Sequence, residues 1–387
     1  MHIAVVGYGI AGVAAAIHLR RLGHQITHFE RSEVDVAGGG LLLQAPAIGL
    51  LAELGLERQL RARGAVVDQL CAETTGGRRL LDLRYPSGSA TALGIQRQAL
   101  RALLAAADSG HGLLQRGVRM QGVDPERGVL LAHDQSGHGQ SRRDQIRHGP
   151  YDLIVAADGA NSLLRASLPR LLRRNRLYPW AATVACIDDP GGCQDRRLHQ
   201  VYHRHQHFAV WPVGNTDAGA PKRVNVAINV ARQASDWSAE PAAWRAWAAT
   251  HCPRLAPLLE HACDSPAPAL YTYRDVELRS RVSGRVAFIG DAAHSMGPQL
   301  GQGARMALED AACLGSVLAR FNDREQALRH FDQQRTRQLR RYQRLSRWLT
   351  PVFQSTRPSL GILREAAYFA VRTLPLLERQ AMQWLVK

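Results

Sequence analysis

The chain has 387 residues, of which 45% are hydrophobic and 21% are charged, and its formal net charge is +16. This length and composition predict one large globular unit or two interleaved ones with a substantial core. The charge does not by itself indicate nucleic-acid binding, because arginines spread along the whole chain carry it and the only lysines are Lys222 and Lys387. Arginines that alternate with leucines at helical spacing are typical of a solvated helix face. We therefore expect no nucleic acid among the partners.

Two further features exclude other classes of protein. No stretch is apolar over the length needed to cross a bilayer, and no basic and apolar leader precedes the first strand. The six cysteines form no CxxC pair and no metal-ligand spacing, which is typical of free thiols in a reducing compartment. We expect a cytoplasmic enzyme with no stable membrane insertion and no metal.

The first element is an apolar strand, His2–Val6, followed by the glycine turn GYGIAG and a stretch with helical periodicity. In a strand, glycine turn and helix of this kind, Gly7 permits a tight turn and Gly9 lets the backbone approach a pyrophosphate. Gly12 allows the helix to pack closely on the strand. The diphosphate would then lie at the positive end of the helix.

A second strand, Gln25–Phe29, ends at Glu30, which lies 18 residues after Gly12. At this spacing an acidic side chain accepts hydrogen bonds from a ribose diol. The strand, turn, helix, second strand and acid together predict a dinucleotide site. They do not distinguish NAD from FAD.

Two later apolar strands also end at an aspartate. Tyr151–Ala157 runs into Asp158 and Gly159, and Arg285–Ile289 runs into Gly290 and Asp291. An Asp-Gly pair is common in ordinary turns. An aspartate at a strand end can also bond a ribityl hydroxyl, and a glycine-rich turn before a helix offers N–H groups to an electron-rich ring edge.

With these three motifs in order, the sequence resembles the FAD-dependent aromatic hydroxylases of the para-hydroxybenzoate hydroxylase type. The third motif lies within GDAAHSMGPQLGQGARMALEDA, and the resemblance covers almost the whole chain. It implies non-covalent FAD and NADH or NADPH as co-substrate. It further implies that FAD is reduced by NAD(P)H, reacts with O2 to a C4a-hydroperoxide and transfers one OH group to the substrate.

The resemblance also implies which residues contact FAD along its length. They are Gly7, Gly9 and Gly12 at the diphosphate; Glu30, Arg31 and the Val118 backbone on the adenosine side; Arg97 near the ribose or phosphates; Asp158 in a turn beside the cofactor; Asp291 at the ribityl and phosphate region; and Pro298, Gly301, Gln302, Gly303 and Ala304 at the isoalloxazine.

Relatives of this kind often carry asparagine where Arg305 stands. Arg305 could point at the pyrimidine edge of the flavin, where its charge would favour the anionic reduced ring. Alternatively, it turns outward into solvent or an ion pair. The catalytic residue is not identified from the sequence, and the candidates that line the site are Pro298, Arg305 and His205. A histidine from the segment around His205 could deprotonate a phenol-like hydroxyl.

A run of histidines precedes and enters the predicted substrate sheet. Alternate residues of one strand share a face, so His199, His203, His205 and His207 could lie together. No carboxylate or cysteine accompanies them at a useful spacing, so we predict that one or two line the substrate pocket and that none binds a metal.

The predicted fold is α/β, with a Rossmann-like FAD-binding domain interleaved with a mainly antiparallel sheet that binds substrate, and with a helical carboxy-terminal tail. Alternating runs such as Tyr202–Pro212 and Val224–Val230 predict the strands of that sheet. We expect a surface hairpin or mobile loop over Asp134–Pro150 and tail helices interrupted at Pro351, Pro358 and Pro375. The predicted segments are 1–64, 96–176 and 277–345 for FAD, 65–95 and 177–276 for substrate, and 346–387 for the tail.

The predicted function is hydroxylation of a small aromatic or conjugated substrate with NAD(P)H and O2 by a monomer or homodimer. A flavin-dependent reductase or dehydrogenase of the same fold is the alternative, because its cofactor residues would look the same. A halogenase would be expected to carry a catalytic lysine after the first domain and a WxWxIP motif. It is disfavoured because Lys222 and Lys387 are the only lysines and the nearest tryptophan pair is Trp244 and Trp247. A disulfide reductase is disfavoured because there is no redox cysteine pair.

Overall fold

The computed structural model describes residues 1–34, 38–85, 91–108, 114–133, 145–189, 196–203, 206–215, 222–231, 245–246, 249–250, 253, 256–264, 269–355 and 357–386. Within this part of the chain, the strands form four sheets, and the helices pack on them and at the carboxy terminus.

The strands, in chain order, are β1 His2–Val6, β2 Gln25–Glu30, β3 Gly40–Leu43, β4 Ala65–Val67, β5 Gln69–Thr74, β6 Arg79–Arg84, β7 Ala92–Gln96, β8 Leu114–Arg116, β9 Met120–Asp124, β10 Val129–His133, β11 Gln145–His148, β12 Leu153–Ala156, β13 Leu172–Asp188, β14 Arg197–His203, β15 Gln206–Pro212, β16 Arg223–Ala231, β17 Ala269–Leu278, β18 Val282–Ser283 and β19 Val286–Phe288.

The helices are α1 Ile10–Arg21, α2 Ala45–Glu53, α3 Glu57–Arg63, α4 Arg97–Ala107, α5 Leu163–Ala166, α6 Ala256–Asp264, α7 Asp291–His294, α8 Gly303–Arg320, α9 Arg324–Phe353, α10 Pro358–Thr373 and α11 Pro375–Val386. Short 3-10 helices cover Pro169–Leu171 and Pro298–Leu300.

The first sheet has the strand order β18-β19-β12-β1-β2-β8 in the described residues, and all its neighbours are parallel except β18 and β19. Its central strands are apolar throughout because both faces are covered. Val5 and Val155 belong to the core under α1 and α8, whereas Val6 and Ala156 face the core shared with the small antiparallel sheet β9-β10-β11. The carboxyl ends of β1, β12 and β19 consequently lie at one edge, where an open parallel sheet binds its ligand.

The largest sheet has the order β17-β13-β16-β15-β14-β5-β6 and is antiparallel except for the β14–β5 pair. Strands from two distant parts of the chain, β5–β6 and β13–β17, therefore share one sheet, which agrees with the predicted interleaving. One face is apolar, with Val224, Val226 and Ile228 in a core with α6. The small sheet β3-β7-β4 lies between this region and the helices that begin with α2.

The prediction of one strand over Tyr202–Pro212 is wrong. This run is divided between β14 and β15, which are antiparallel neighbours, with Tyr202 opposite His207 and His203 opposite Gln206. His203 and His207 therefore lie on opposite faces of the sheet, because directly paired residues share a face and successive residues alternate. The run is continuous in hydrophobic pattern, which is why periodicity alone did not separate the two strands.

The carboxy-terminal helices also differ from the prediction. Pro351 does not interrupt a helix but lies in the last turn of α9, whereas Pro358 and Pro375 begin α10 and α11 as predicted. Since α9 is continuous from Arg324 to Phe353, it crosses the boundary proposed between residues 345 and 346. None of the helices in the described residues is long and apolar enough to cross a membrane.

The segment predicted as a surface hairpin or loop is described only at its ends. β10 and β11 pair in antiparallel fashion, with Leu130 opposite His148. Residues 134–144 between them lie outside the described residues.

Candidate functional site

The three glycines of the turn after β1 differ in the space that surrounds them. A Cβ on Gly7 would lie 2.3 Å from the Ala157 carbonyl oxygen, and a Cβ on Gly12 would lie 1.9 Å from the Gly7 carbonyl oxygen. Both positions exclude a side chain because protein backbone occupies the space. A Cβ on Gly9 would meet no protein atom within 4 Å. The space beside Gly9 is therefore open, as a turn that receives a pyrophosphate requires.

Glu30 lies beside this turn. Its carboxylate accepts hydrogen bonds from the Tyr8 N–H at 2.7 Å and from the Ser32 N–H at 2.9 Å. These two bonds hold the carboxylate at the end of β2 and leave lone pairs for a ribose diol. The Val118 N–H donates to the Glu30 carbonyl at 3.0 Å, which brings the end of β8 to the same place, and Arg31 is exposed next to it. The structure thus groups three of the residues predicted on the adenosine side.

Asp158 has a structural function at the start of α5. Its Oδ2 accepts from the Leu163 N–H at 2.9 Å and from the Leu164 N–H at 3.3 Å. Its Oδ1 is buried without a hydrogen-bond partner in the described residues, and burial raises the pKa of this carboxyl above its usual value. The carboxylate therefore holds the turn after β12 and keeps one oxygen that a bound group could use.

Asp291 differs from Asp158 in its exposure. It follows Gly290, whose positive φ of 58° favours glycine, and its side chain is exposed at the carboxyl edge of the sheet. A Cβ on Gly290 would lie 2.8 Å from the Ala11 Cβ, so the turn packs against the start of α1. This packing places Gly290, the residue before Asp291, beside the start of α1.

A buried arginine that the sequence prediction missed ties the two aspartate turns together. Arg165 is 2% exposed and donates to the carbonyl oxygens of Ala160 at 2.6 Å and Ala292 at 2.7 Å. One guanidinium thus bridges the turn after Asp158 and the turn after Asp291. No local pattern could identify it, because its partners lie more than a hundred residues apart in the chain.

Asp310 forms a second buried network beneath the site. Its carboxylate accepts from the Gly290 N–H at 2.7 Å, from Arg335 Nε at 2.6 Å and from His294 Nε2 at 2.5 Å. Burial by itself would raise the pKa of Asp310, but the charges of His294 and Arg335 and their hydrogen bonds outweigh it and hold the pKa well below its usual range. This carboxylate positions the Gly290 turn from behind. Asp310 lies within the third sequence motif, GDAAHSMGPQLGQGARMALEDA, yet nothing in that motif marks the residue as buried.

The glycine-rich turn before α8 is open toward the same edge. Gly301 has a positive φ of 61°, and a Cβ on Gly301 or Gly303 would meet no protein atom within 4 Å. Gln302 is buried, Pro298 is exposed and Ala304 is half-buried. Because α8 begins at Gly303, its first N–H groups and the positive end of its dipole face this open turn.

Arg305 pairs with its own helix. Its Nε donates to Glu309 Oε1 at 2.8 Å, and its guanidinium carbon lies 5.8 Å from the ring centroid of Tyr342 on α9. Its Nη1 is also 3.4 Å from Gln302 Oε1. Of the two orientations that the sequence left open, the structure has the ion pair.

The segment at the start of β3 connects the part of the fold predicted to bind FAD with the large sheet. The Gly39 N–H donates to the Tyr271 hydroxyl at 2.8 Å, and the Gly40 N–H donates to Asn225 Oδ1 at 2.5 Å. The Arg97 N–H donates to the Gly39 carbonyl at 3.0 Å, and the exposed Arg97 guanidinium carbon lies 5.7 Å from the Tyr271 ring centroid. Arg97 is therefore at the junction between the two parts of the fold.

One face of the large sheet carries polar and aromatic side chains, and we call it the inner face. Cross-strand pairing aligns its members in a row, because Tyr271 and Asn229 both pair with Ala182, Asn229 pairs with His207, and His207 pairs with Tyr202. Asn225, four residues before Asn229 in β16, shares this face. The inner face is thus the one that contacts Gly39 and Gly40.

The candidate base His205 lies outside the described residues, and the structure places His207 on the inner face instead. His199 and His203 lie on the opposite face, as the β14–β15 register requires. In the described residues no three or more His, Cys, Asp or Glu side chains group so as to hold a metal ion.

These observations fit an extended dinucleotide. Open space lies beside Gly9, Gly301 and Gly303, and the carboxylates of Glu30 and Asp291 flank it at the carboxyl edge of the parallel sheet. A family model described as FAD binding domain matches residues 1–346. The chain belongs to this family. The predicted cofactor is therefore confirmed as FAD.

Relatives support a finer class. The 6-hydroxynicotinate 3-monooxygenase of Bordetella bronchiseptica is 27% identical, over 89% of this chain and 90% of the relative. The 2-heptyl-3-hydroxy-4(1H)-quinolone synthase of Mycobacteroides abscessus is 26% identical, over 86% of this chain and 85% of the relative. These matches confirm the predicted family, the FAD-dependent aromatic hydroxylases, in which NAD(P)H is the standard reductant.

The fold is also similar to that of a solved flavoprotein structure. The structure of HpxO from Klebsiella pneumoniae in complex with FAD and uric acid matches with a TM-score of 0.80 and 20% identity, over 97% of this chain and 95% of that one. The predicted fold class, a Rossmann-like FAD-binding part with a mainly antiparallel sheet and carboxy-terminal helices, is confirmed.

Alanine substitution of the two strand-end aspartates should have different effects on FAD content and on stability. Asp291→Ala should yield mostly FAD-free protein, since loss of hydrogen bonds from a charged group costs about 1.5–3 kcal/mol. Asp158→Ala should keep more FAD but lower the free energy of unfolding by about 1 kcal/mol, because it removes a helix cap. Flavin absorbance per chain after desalting, together with urea unfolding, measures both effects. Full and equal FAD content in the two variants would contradict the prediction that Asp291 matters more for FAD retention than Asp158.

Proposed function

We propose that the chain hydroxylates a small aromatic or conjugated substrate that binds between the flavin ring and the inner face of the large sheet. The observation that carries the proposal is the junction at β3, where Tyr271 and Asn225 of the inner face bond the backbone of Gly39 and Gly40. A substrate held against this face would lie beside the open turn of Gly301. Both halves of such a site come from rigid strands and helix ends.

The proposal assigns the protein mainly positioning and electrostatic roles. When bound, FAD supplies the redox chemistry, taking electrons from NAD(P)H and delivering them to O2. Glu30 and Asp291 would hold the ribose and ribityl hydroxyls, and Gly9 would admit the diphosphate. Asp158, Val118, Arg31 and Arg97 would complete the cofactor contacts.

The amino terminus of α8 would stabilise negative charge on the flavin ring. This helix has 18 residues and begins at Gly303, so its dipole is well developed. Donors that are fixed before reaction stabilise developing charge without reorganisation. Gln302 and Ala304, on either side of Gly303, would border the ring. Arg305 would act on the ring only indirectly, because Glu309 neutralises it.

The names of the two relatives support an electron-rich, nitrogen-containing ring as substrate. One acts on 6-hydroxynicotinate and the other is a 3-hydroxy-4(1H)-quinolone synthase. A ring nitrogen or hydroxyl that donates electrons activates the neighbouring carbon toward oxygen insertion. We therefore propose hydroxylated pyridines and quinolones as the first compounds to assay.

The test is a substrate screen with two readouts. The FAD-loaded protein is mixed with NADH or NADPH and each hydroxypyridine or quinolone, and the rate of NAD(P)H oxidation and the product mass are measured. We expect one or more compounds to accelerate NAD(P)H oxidation and to gain one oxygen atom. Acceleration with a product that is reduced or dehydrogenated and gains no oxygen would favour the reductase or dehydrogenase alternative.

The monomer or homodimer state and the cytoplasmic location stay predictions. Light scattering on the FAD-loaded protein tests the first, and a higher oligomer would contradict it. Fractionation of the source cells tests the second.

A further inference from the structure

Arg364 on α10 is a buried cation that has no anionic partner among the described residues. Its side chain is 4% exposed, and its guanidinium carbon lies 4.3 Å from the ring centroid of Tyr202. Within the same part of the chain, its Nε has no hydrogen-bond partner and no carboxylate forms an ion pair with it. The aromatic ring offers a partial counter-charge only.

The other buried arginines of the described residues show how unusual this is. Arg335 pairs with Asp310 at 2.6 Å and Arg281 with Asp332 at 3.4 Å, while Arg165 donates to two carbonyl oxygens. A buried charge is costly unless it is paired and hydrogen-bonded. In the described residues, Arg364 thus has neither the carboxylate partner of Arg335 and Arg281 nor the carbonyl acceptors of Arg165.

His207 presents a second unpaired donor in the same cluster. Asn229 Nδ2 is 2.8 Å from His207 Nδ1, and with the amide in this orientation Nδ1 accepts and the ring proton is assigned to Nε2. That Nε2 is buried without a partner in the described residues. Burial, and then the charge of Arg364, lower the pKa of His207 to about 3, so the ring is a neutral N–H donor at neutral pH.

Two tyrosines connect α10 to the inner face at this point. The hydroxyls of Tyr202 and Tyr368 are 2.9 Å apart, and the Tyr202 ring stacks on His207 at 4.5 Å between centroids. Burial raises the pKa of Tyr368 to about 12, and Tyr202 is shifted in the same direction, so neither ring supplies an anion for Arg364. The cluster therefore carries one net positive charge.

The cluster lies on the same face of the large sheet as the proposed substrate site. Tyr202 and His207 belong to the inner face, in the same row as Tyr271. Phe353 lies 6.0 Å from the Tyr368 ring, and the next residue, Gln354, accepts a hydrogen bond from Gln299 Nε2 at 2.8 Å. Gln299 lies in the 3-10 turn that begins at Pro298. Two side chains thus separate the cluster from the turn assigned to the flavin ring.

We propose that Arg364 and the His207 Nε2–H bind a carboxylate substituent of the aromatic substrate. The inference rests on the proposed function, and it assigns the substrate class as an aromatic carboxylic acid in its ionised form. A guanidinium matches a carboxylate in geometry as well as charge. The neutral imidazole adds a donor without adding charge.

The binding test compares matched ligands on the FAD-loaded protein without NAD(P)H. Benzoate, nicotinate and quinoline-2-carboxylate are titrated by calorimetry alongside their primary amides, with acetate as an anion that lacks a ring. We expect at least one aromatic carboxylate to bind tenfold or more tightly than its amide and than acetate. Equal affinity for carboxylates and amides would overturn the inference, and so would binding of acetate as tight as that of the aromatic acids.

Variants locate the site. Arg364→Met, which keeps the aliphatic volume, should abolish the preference for carboxylate, and His207→Phe should reduce it at least threefold. Arg372→Met is the matched control, because Arg372 lies on the same helix and stacks on Phe369 at 5.7 Å but is exposed. A preference retained by Arg364→Met, or lost equally in Arg372→Met, would contradict the assignment.

Unfolding provides a readout that is independent of ligand. Because Arg364→Met removes an unpaired buried charge, its urea midpoint without ligand should equal or exceed that of the unmodified protein. A clear fall in the midpoint would show a purely structural role for Arg364 and would overturn the inference. Since none of these measurements uses turnover, their failure is distinct from failure of oxygen insertion.

Discussion

Gly9→Ala is expected to weaken FAD binding about 10- to 100-fold, which corresponds to about 1.4–2.8 kcal/mol. The added methyl group would meet no protein atom within 4 Å, so it should leave the fold undisturbed. It would instead occupy the space through which the backbone approaches the diphosphate. Fluorescence titration of the FAD-free protein with FAD measures the affinity, and urea unfolding of the same sample measures the stability.

A second glycine provides the control for this substitution. Gly49 is exposed in α2, and a Cβ there would also meet no atom within 4 Å. Gly49→Ala should keep full FAD affinity and stabilise the protein by up to about 1 kcal/mol through helix propensity. An unchanged FAD affinity in Gly9→Ala would show that the diphosphate does not lie at this turn.

Asp310→Ala is expected to destabilise the protein by about 3–5 kcal/mol, the usual cost of breaking a buried ion pair by removing one partner. It would leave Arg335 with Glu309 as its one remaining anionic partner in the described residues, and it would remove the acceptor for the Gly290 N–H. Because Gly290 precedes Asp291, the variant should also lose FAD affinity. Urea unfolding and flavin content per chain measure the two effects.

Glu325→Ala is the control for Asp310→Ala. Glu325 is 68% exposed and pairs with Arg329 on the same helix, and such surface pairs contribute little. A destabilisation of Asp310→Ala no larger than that of Glu325→Ala would contradict the assigned network.

The Asp310 network also has a pH signature. The pKa of Asp310 is lower in the folded chain than its value of about 3.9 when unfolded, so the unfolded state binds the proton more readily. The contribution of the ionised Asp310 carboxylate to the free energy of unfolding is complete above about pH 5. It is lost as the pH falls below about 4 toward the pKa of the folded state. The stability difference between the unmodified protein and Asp310→Asn should shrink as the pH falls below about 4.

Much of the cofactor side could be predicted because its signals are local. The strand, glycine turn and helix around Gly7 and Gly12 occupy consecutive residues, and each strand-end aspartate directly follows an apolar strand. Parallel strands with connections of this kind bring their carboxyl ends to one edge, so the separate motifs meet there without further information. The structure accordingly groups Gly9, Glu30 and Asp291.

The substrate side could not be predicted in the same way because it depends on pairing between distant segments. The hydrophobic pattern of β14 continues into β15, so the sequence predicts the histidines on one face, although β14 and β15 are separate antiparallel strands. His207 reaches the inner face only through this register. Arg364 comes from a helix more than 150 residues later, and its lack of a partner is visible only in three dimensions.

The long-range buried hydrogen bonds could not be predicted for the same reason. Arg165 and Asp310 are ordinary members of helical segments in the sequence, and their buried contacts with Ala292 and Gly290 follow from packing. Arg305 illustrates the reverse situation, since its partner Glu309 lies one helical turn away at a spacing typical of surface pairs. The sequence analysis left the orientation of Arg305 open, and this spacing is the local signal that favours the ion pair.

The central claim is that this FAD-dependent enzyme inserts one atom of O2 into its substrate. The most direct measurement is mass spectrometry of the product formed with NAD(P)H under 18O2, using the substrate identified by the screen, with a parallel reaction in 18O-labelled water under ordinary O2. We predict one labelled oxygen atom per product molecule in the first reaction and none in the second. Label that enters only from water, or a product without added oxygen, would contradict the account.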